Sequence, residues 1–201
     1  MPGRRGLSRE IVIDAAVGIL DEHPGQPLTL ATVAQRLGVR TPSLYTHVDG
    51  LEDLLQGIAV FGARELAERI GRAAIGRAGS DALEQIAWEY RAFAVERPGV
   101  YQLTQRAPSQ DDAEHTAAAE EILHILRRVL EPFELSDEEE VHAIRSLRSL
   151  VHGFSSLELG GGFGMPVDLD ASFTYLTRMF TAQISASSRL NRSMAGTSQQ
   201  G

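Results

Sequence analysis

The chain has 201 residues, a formal net charge of −8, 43% hydrophobic residues and no cysteine. This length and apolar content predict a folded protein with one ordinary domain, or a small module joined to a larger one. The lack of cysteine excludes disulfides, thiolate metal sites and cysteine nucleophiles. The sequence shows no secretory signal and no apolar run near the ~20 residues of a membrane span. We therefore expect a soluble, cytoplasmic protein.

The acidic charge is distributed unevenly along the chain. Residues 1–50 carry five arginines and five acids, whereas residues 51–201 carry 14 arginines and 22 acids. Clustered basic residues favour nucleic-acid binding, so the overall acidity argues against it, but the neutral N-terminal region leaves it open there. We predict three regions with different roles: a small N-terminal domain over 1–50, whose neutral charge permits a nucleic-acid partner, a larger domain over 51–189 and a disordered tail over 190–201.

Apolar residues recur with helical spacing along most of the chain, and no convincing alternating β pattern is found. This predicts an all-α fold of about nine helices. Ser8, Thr29 and Thr41 are the predicted N-caps of three short helices, and Gly38 and Gly50 end the second and third. A long helix is predicted from Leu51 to about Arg72. Later helices are predicted over 80–97, 100–105, 111–132, 136–159 and 168–187, and Ser136 with Glu139 forms a predicted capping box at the start of the helix over 136–159.

The second and third predicted helices have the spacing of a helix-turn-helix. Ala34 allows the two helices to cross closely, and Gly38 supplies a left-handed turn between them. The second helix of such a motif enters the major groove of DNA. The predicted contacts come from this helix, from the start of the helix before it and from an N-terminal arm. They are Arg40, Thr41, Ser43, Tyr45 and His47, then Thr29 and Thr32, then Arg4 and Arg5.

Two stretches resemble a known family. Residues 31–39, Ala-Thr-Val-Ala-Gln-Arg-Leu-Gly-Val, and 42–48, Pro-Ser-Leu-Tyr-Thr-His-Val, resemble the DNA-binding signature of the TetR family of bacterial transcriptional repressors. Residues 90–101 and 150–164 are similar to the WHG-type C-terminal ligand-binding domain of that family, with Val151 in place of its Trp. Family members commonly have Lys four residues after the motif His, where this chain has Leu51. We therefore expect modest DNA affinity and a shallow salt dependence.

The resemblance implies a homodimer that binds a palindromic operator, with two recognition helices one DNA turn, about 34–36 Å, apart. It implies a dimer interface built from the helices predicted over 136–159 and 168–187. The apolar positions that fit this interface are Ile144, Leu147, Val151, Phe154, Phe173, Leu176, Met179, Phe180 and Ile184. Some of these positions must instead face the core of their own chain.

The resemblance also implies a small-molecule effector that enters a cavity of the C-terminal domain and weakens operator binding. The predicted lining residues are Trp88, Phe93, Tyr101, Leu123, Leu126, His152, Ser155, Phe163 and Met165. Ordinary core packing explains each of them equally well. Their mixture of apolar and polar groups would suit a mostly hydrophobic effector with one or two polar groups.

Two other classes of protein compete with a regulator. The pairs Glu121/His124 and Glu139/His142 have the spacing of di-iron ligands, although acids at a helix start are also typical of a solvated face. No Gly-x-Ser-x-Gly nucleophile motif is present. We expect no catalytic residue, metal or cofactor. The second alternative is a helical protein-interaction module whose helix-turn-helix is only structural, and such a protein would show no salt-sensitive retention of DNA.

Overall fold

The computed structural model describes residues 6–108 and 112–197, with side chains up to Arg189, and contains no strand in these ranges. The all-α prediction is confirmed. The helices are α1 (Arg9–Glu22), α2 (Leu30–Leu37), a 3₁₀ helix (Thr41–Thr46), α3 (Leu51–Ala74), α4 (Gly79–Glu96), α5 (Pro98–Thr104), α6 (Ala113–Leu130), a 3₁₀ turn (Glu131–Phe133), α7 (Asp137–Leu159) and α8 (Leu169–Thr197).

The backbone forms two compact units. The first unit comprises Met1–Glu65 and Glu96–Ala119, and the second comprises Leu66–Val95 and Glu120–Gly201. Helices α3 and α6 each contribute residues to both units. The predicted boundary at residue 50 therefore does not coincide with a boundary between compact units. The assignment of residues 1–50 to DNA binding stays a prediction about function.

In the first unit, α1 packs against α2 and α5, and α2 packs against the 3₁₀ helix. Buried aliphatic side chains join these elements, and Val12, Val33 and Leu44 are completely buried. Close approach between α1 and α5 requires Gly99, because a Cβ atom there would lie 3.1 Å from Leu20 Cβ and 3.3 Å from the Leu20 carbonyl oxygen. A well-packed helical core therefore supports the predicted helix-turn-helix.

In the second unit, α7 packs against α8. Ser136 caps α7 as predicted: its hydroxyl accepts a hydrogen bond from the Glu139 N–H, and the Glu139 carboxylate accepts one from the Ser136 N–H at 2.8 Å. Val151, Phe154 and Phe173 are buried within the chain, whereas Met179 is 54% exposed. The structure thus separates apolar positions that face their own core from one that does not.

Two predictions about helices are corrected by the structure. The third helix is a six-residue 3₁₀ helix with Arg40 as its N-cap, and Thr41 is its first residue rather than its cap. Only a short segment is available between the turn and α3, and short segments adopt i→i+3 bonding. Helix α8 continues to Thr197, through most of the predicted tail. No proline interrupts this stretch.

Candidate functional site

The helix-turn-helix begins with a reciprocal cap at the start of α2. The Thr32 N–H donates to Thr29 Oγ1 at 3.1 Å, and the Thr29 N–H donates to Thr32 Oγ1 at 3.2 Å. Both hydroxyls are exposed, but each is already part of the cap. The structural role of Thr29 and Thr32 is therefore to fix where α2 begins. Their contact with phosphate remains a prediction.

The turn ends α2 as the sequence predicted. Gly38 adopts the left-handed conformation with φ 67°, and its N–H donates to the carbonyl oxygens of Ala34 and Gln35. The chain then enters the 3₁₀ helix, where the Ser43 N–H donates to the Arg40 carbonyl oxygen at 2.9 Å. These bonds set the angle at which the 3₁₀ helix leaves α2.

The 3₁₀ helix has one buried and one exposed side. Leu44 is completely buried and Val48 nearly so, whereas Tyr45 is 57% exposed. Arg40 and Ser43 are exposed, and Thr41 and His47 are half-buried. The structure therefore brings Arg40, Ser43 and Tyr45 to the surface of one short element. Arg4 and Arg5, the predicted arm, lie outside the described residues.

An ion pair that the sequence did not reveal joins α1 to α3 next to the 3₁₀ helix. Arg9, at the start of α1, forms a two-pronged ion pair with Asp53 of α3 at 2.6 and 2.7 Å. Arg9 Nη1 also donates to the His47 carbonyl oxygen at 3.3 Å, and the Asp49 N–H donates to Asp53 at 2.8 Å. The hydrogen bond to Arg9 holds the pKa of Asp53 below its usual value. Because Arg9 and Asp53 are 44 residues apart, no local pattern could have predicted the pair.

Most other arginines of the first unit are also paired with acids. Arg36 pairs with Glu22 at 2.5 Å, and Arg97 pairs with Asp21 and Glu65. Arg64 and Arg106 contact Glu114 and Glu52. Within the described part of this unit, Arg40 is the arginine without an ion-pair partner. A free cation on the surface of the 3₁₀ helix is the group best suited to approach a phosphate or a guanine.

The residues predicted to line an effector cavity do not share one environment. Phe93, Tyr101, Leu126 and Ser155 are buried, Trp88 and Leu123 are half-buried, and His152, Phe163 and Met165 are exposed. Tyr101 belongs to the first unit and the other eight to the second. The described cavities lie along 52–59 with 103–115, along 71–78 with 124–132, and along 135–146 with 180–187, and none of the nine lines them.

Trp88 and Phe163 belong instead to an aromatic cluster that contains a buried arginine. The Trp88 and Phe173 ring centroids are 5.0 Å apart, and those of Phe154 and Phe163 are 4.8 Å apart. The Arg91 guanidinium lies 5.0–5.2 Å from the rings of Trp88, Phe154 and Phe173. Arg91 therefore contacts the ring of Trp88, one of the predicted lining residues. The periodicity gave no sign of it, because a charged residue is not expected on a core-facing stripe.

The described residues contain no group of three or more His, Asp or Glu side chains arranged to hold a metal ion. His142 Nε2 lies 3.6 Å from Glu138, one turn earlier on the same helix, and the two side chains are exposed. Within the described ranges, no helix combines the length and the apolar character that crossing a membrane requires.

Known proteins share both the sequence and the fold. A family model described as the tetracyclin repressor-like C-terminal domain matches residues 83–180. An uncharacterised HTH-type transcriptional regulator of Mycobacterium tuberculosis is 36% identical over 169 residues, which cover 84% of this chain and 77% of the relative. A second uncharacterised HTH-type regulator, from Bacillus subtilis, is 30% identical over 180 residues, which cover 90% of this chain and 94% of the relative.

Solved structures agree with this similarity. A TetR protein variant from Acinetobacter baumannii, in complex with minocycline, superposes with a TM-score of 0.70 at 22% identity, covering 90% of this chain and 98% of that chain. A capped helix, a glycine turn and an exposed second element are the parts of a helix-turn-helix. The chain belongs to the TetR family of HTH-type transcriptional regulators, and the relatives above are named as regulators rather than enzymes.

Proposed function

We propose that this chain is a cytoplasmic repressor that binds a palindromic operator as a homodimer and is released by a small, mostly hydrophobic effector. The observation that carries DNA binding is the exposed surface of the 3₁₀ helix. Tyr45 is more than half exposed directly beside Leu44, which is completely buried. An exposed aromatic ring on a firmly anchored element is suited to contact bases or the sugar-phosphate backbone.

Arg40 supplies the charge of this surface. It is exposed and has no acid partner among the described residues of its unit, whereas Arg9 and Arg36 are neutralised by Asp53 and Glu22. Ser43 and Thr41 offer hydroxyls beside it, and Arg4 and Arg5 would add charge as an arm. This limited set of cations supports a protein whose DNA affinity depends on a few well-placed contacts.

Exposed apolar residues on the last two helices support the homodimer. Leu157 of α7 is 51% exposed, and Tyr175 and Met179 of α8 are 70% and 54% exposed. Their four-residue spacing on α8 places Tyr175 and Met179 on the same face of the helix. Contact with the same face of a second copy would remove this apolar surface from water in a closed two-fold interface.

The effector is proposed by similarity. The Acinetobacter relative was crystallised with minocycline, a small molecule. A coupling of 1–3 kcal/mol between effector and DNA binding would already weaken operator binding by about 5–150-fold. The predicted lining residues, from Trp88 to Met165, stay candidates for contacts with such a molecule.

Selection of genomic DNA fragments by the purified protein at two salt concentrations, followed by footprinting, tests the proposal. We expect a protected palindrome whose retention falls as salt rises. If no fragment is enriched at either salt concentration, and no bound small molecule is found in the preparation, the repressor proposal is wrong. A helical interaction module would then be the better description.

The variant Tyr45→Ala tests whether the exposed surface of the 3₁₀ helix contacts DNA. We expect it to lose specific operator binding, while light scattering shows the same particle mass as the parent protein. The matched control is Ile75→Ala, which truncates a similarly exposed apolar side chain (72% exposed) in the second unit. This control should bind the operator normally. Normal operator binding by Tyr45→Ala would remove Tyr45 from the interface.

A further inference from the structure

The first unit contains a cavity of about 290 Å³ that no part of the proposed DNA interface uses. This volume is near the lower end of the ~300–1,000 Å³ typical of small-molecule pockets. The first turns of α3 form one wall, residues around Leu103 a second, and the start of α6 a third. The lining residues are Glu52, Leu55, Gln56, Ala59, Leu103, Arg106, Ala107, Asp112 and His115.

Asp112 is the buried charge of this cavity. Its Oδ1 accepts a hydrogen bond from the His115 N–H at 2.9 Å, and its Oδ2 accepts one from the Gln56 side-chain amide. Burial raises the pKa of this carboxyl, but the hydrogen bonds from His115 and Gln56 outweigh that effect and hold the pKa below its usual value. A carboxylate offers about four acceptor positions, and the backbone N–H groups of His115 and Glu114 and the Gln56 amide occupy three of them. Asp112 is therefore an ionised carboxylate with acceptor capacity left over.

His115 adds a second polar group to the same wall, and only 5% of it is exposed. Its Nδ1 lies 3.6 Å from Asp112 Oδ2, which is longer than a hydrogen bond. Within the described chain, the imidazole makes no hydrogen bond. A polar side chain that lines a cavity and makes no hydrogen bond within the described protein is a group to which a ligand can bind.

The other charges of the cavity cancel one another. At its mouth, Arg106 donates to Glu52 at 2.8 Å, and both side chains are exposed. With this pair neutral overall, Asp112 leaves the described lining residues with one net negative charge. Leu55, Ala59 and Leu103 provide apolar wall on the same cavity. The lining is thus complementary to a molecule with an apolar body and one positively charged hydrogen-bond donor.

We propose that this cavity binds a small amphipathic amine, with its ammonium group on Asp112 and its apolar body against Leu55 and Leu103. The His115 imidazole accepts or donates a further hydrogen bond. A carboxylate or phosphate ligand would be repelled by the charge of Asp112. Among the described lining residues the one guanidinium is that of Arg106, which is paired with Glu52. That such an amine is the effector rests on the proposed function, whereas its binding to the cavity does not.

The test uses the full chain without DNA and three probes that share a phenyl ring on a short chain: 2-phenylethylamine, 2-phenylethanol and 3-phenylpropanoate. Calorimetric titration measures the affinity of each probe. We expect the amine to bind at least about tenfold more tightly than the alcohol, because a charged hydrogen bond to Asp112 contributes at least about 1.4 kcal/mol more. The carboxylate should bind most weakly.

Asp112→Asn removes the charge and keeps a side chain that can cap α6. We expect its preference for the amine over the alcohol to fall to nearly one. The matched control is Glu120→Gln, which removes the same charge from an exposed position of α6 that is outside the cavity lining. It should keep the selectivity of the parent protein. Circular dichroism confirms that both variants fold.

The comparison of probes on the unmodified chain decides the proposal even if Asp112→Asn does not fold. Equal binding of amine and alcohol, tighter binding of the carboxylate, or no binding of the amine at millimolar concentration would each overturn it. Unchanged selectivity in folded Asp112→Asn would do the same. Retention of operator DNA is measured separately, so a protein that binds the amine but no DNA refutes only the proposed function.

Discussion

Single arginine side chains join distant parts of each unit. In the second unit, the guanidinium of Arg91 on α4 bonds Glu158 of α7 at 2.7 and 2.8 Å and Asp170 of α8 at 2.7 Å. These hydrogen bonds raise the pKa of Arg91 despite its burial. Three aromatic rings surround the same group. The residue therefore connects three helices through charge and through ring contacts at once.

Replacing Arg91 should lower the stability strongly. Arg91→Met leaves Glu158, whose side chain is only 18% exposed, without its cation. We expect a loss of about 3 kcal/mol in the free energy of unfolding, measured in urea, because removal of one member of a buried pair strands the other. Adding Glu158→Gln to Arg91→Met should recover part of the loss. If the single variant were within about 0.5 kcal/mol of the parent, the pair would not be a stabilising contact.

The ion pair between Arg9 and Asp53 should make the free energy of unfolding depend on pH in the acid range. Since the folded pKa of Asp53 is lowered, the unfolded chain binds the proton first as the pH falls. The stabilisation is therefore complete above the ordinary Asp pKa of about 3.9 and disappears as the pH falls through the folded pKa. Asp53→Asn should cost about 1 kcal/mol at pH 7, and this cost should shrink progressively as the pH falls below the ordinary Asp pKa. A difference in urea midpoint that does not shrink in acid would contradict this.

Helix starts are the elements that the sequence predicted best. Ser8, Thr29 and Ser136 each cap a helix where expected, because an N-cap acts on backbone groups only two or three residues away. The type of the third helix and the length of α8 were not predicted. The type of the third helix depends on how little chain lies between the Gly38 turn and α3, which local apolar spacing does not show.

The turn between α2 and the 3₁₀ helix should depend on Gly38 through backbone conformation alone. Gly38 has φ 67°, and a Cβ atom there would meet no atom within 4 Å. Gly38→Ala should therefore lower the free energy of unfolding by about 1 kcal/mol, the strain of a left-handed alanine. Gly164 has the same open surroundings without a positive φ, so Gly164→Ala should be neutral or slightly stabilising. Equal effects of the two variants, measured by urea unfolding, would contradict the conformational argument.

At the scale of the whole molecule, charge determines how the chain can meet DNA. The sequence predicted which residues belong to the helix-turn-helix, since that motif is a local pattern of caps, glycine and apolar spacing. It did not show which arginines are available, because Arg9, Arg36 and Arg97 find acid partners 14 to 76 residues away. For the same reason, the buried carboxylate of Asp112 and its cavity could not be predicted from spacing.

The salt dependence of operator binding should identify the arginine that contacts phosphate. If Arg40 of each subunit neutralises one phosphate, Arg40→Gln reduces the slope of log affinity against log salt by about 0.9 per contact, or about 2 for a dimer. Arg36→Gln removes the same charge from a position already paired with Glu22, so its slope should stay that of the parent protein. Equal changes in both variants would mean that the net charge of −8, rather than a specific contact, controls the affinity. A change for Arg40→Gln alone would mean that Arg40 makes a specific contact with a phosphate, although the chain as a whole is acidic.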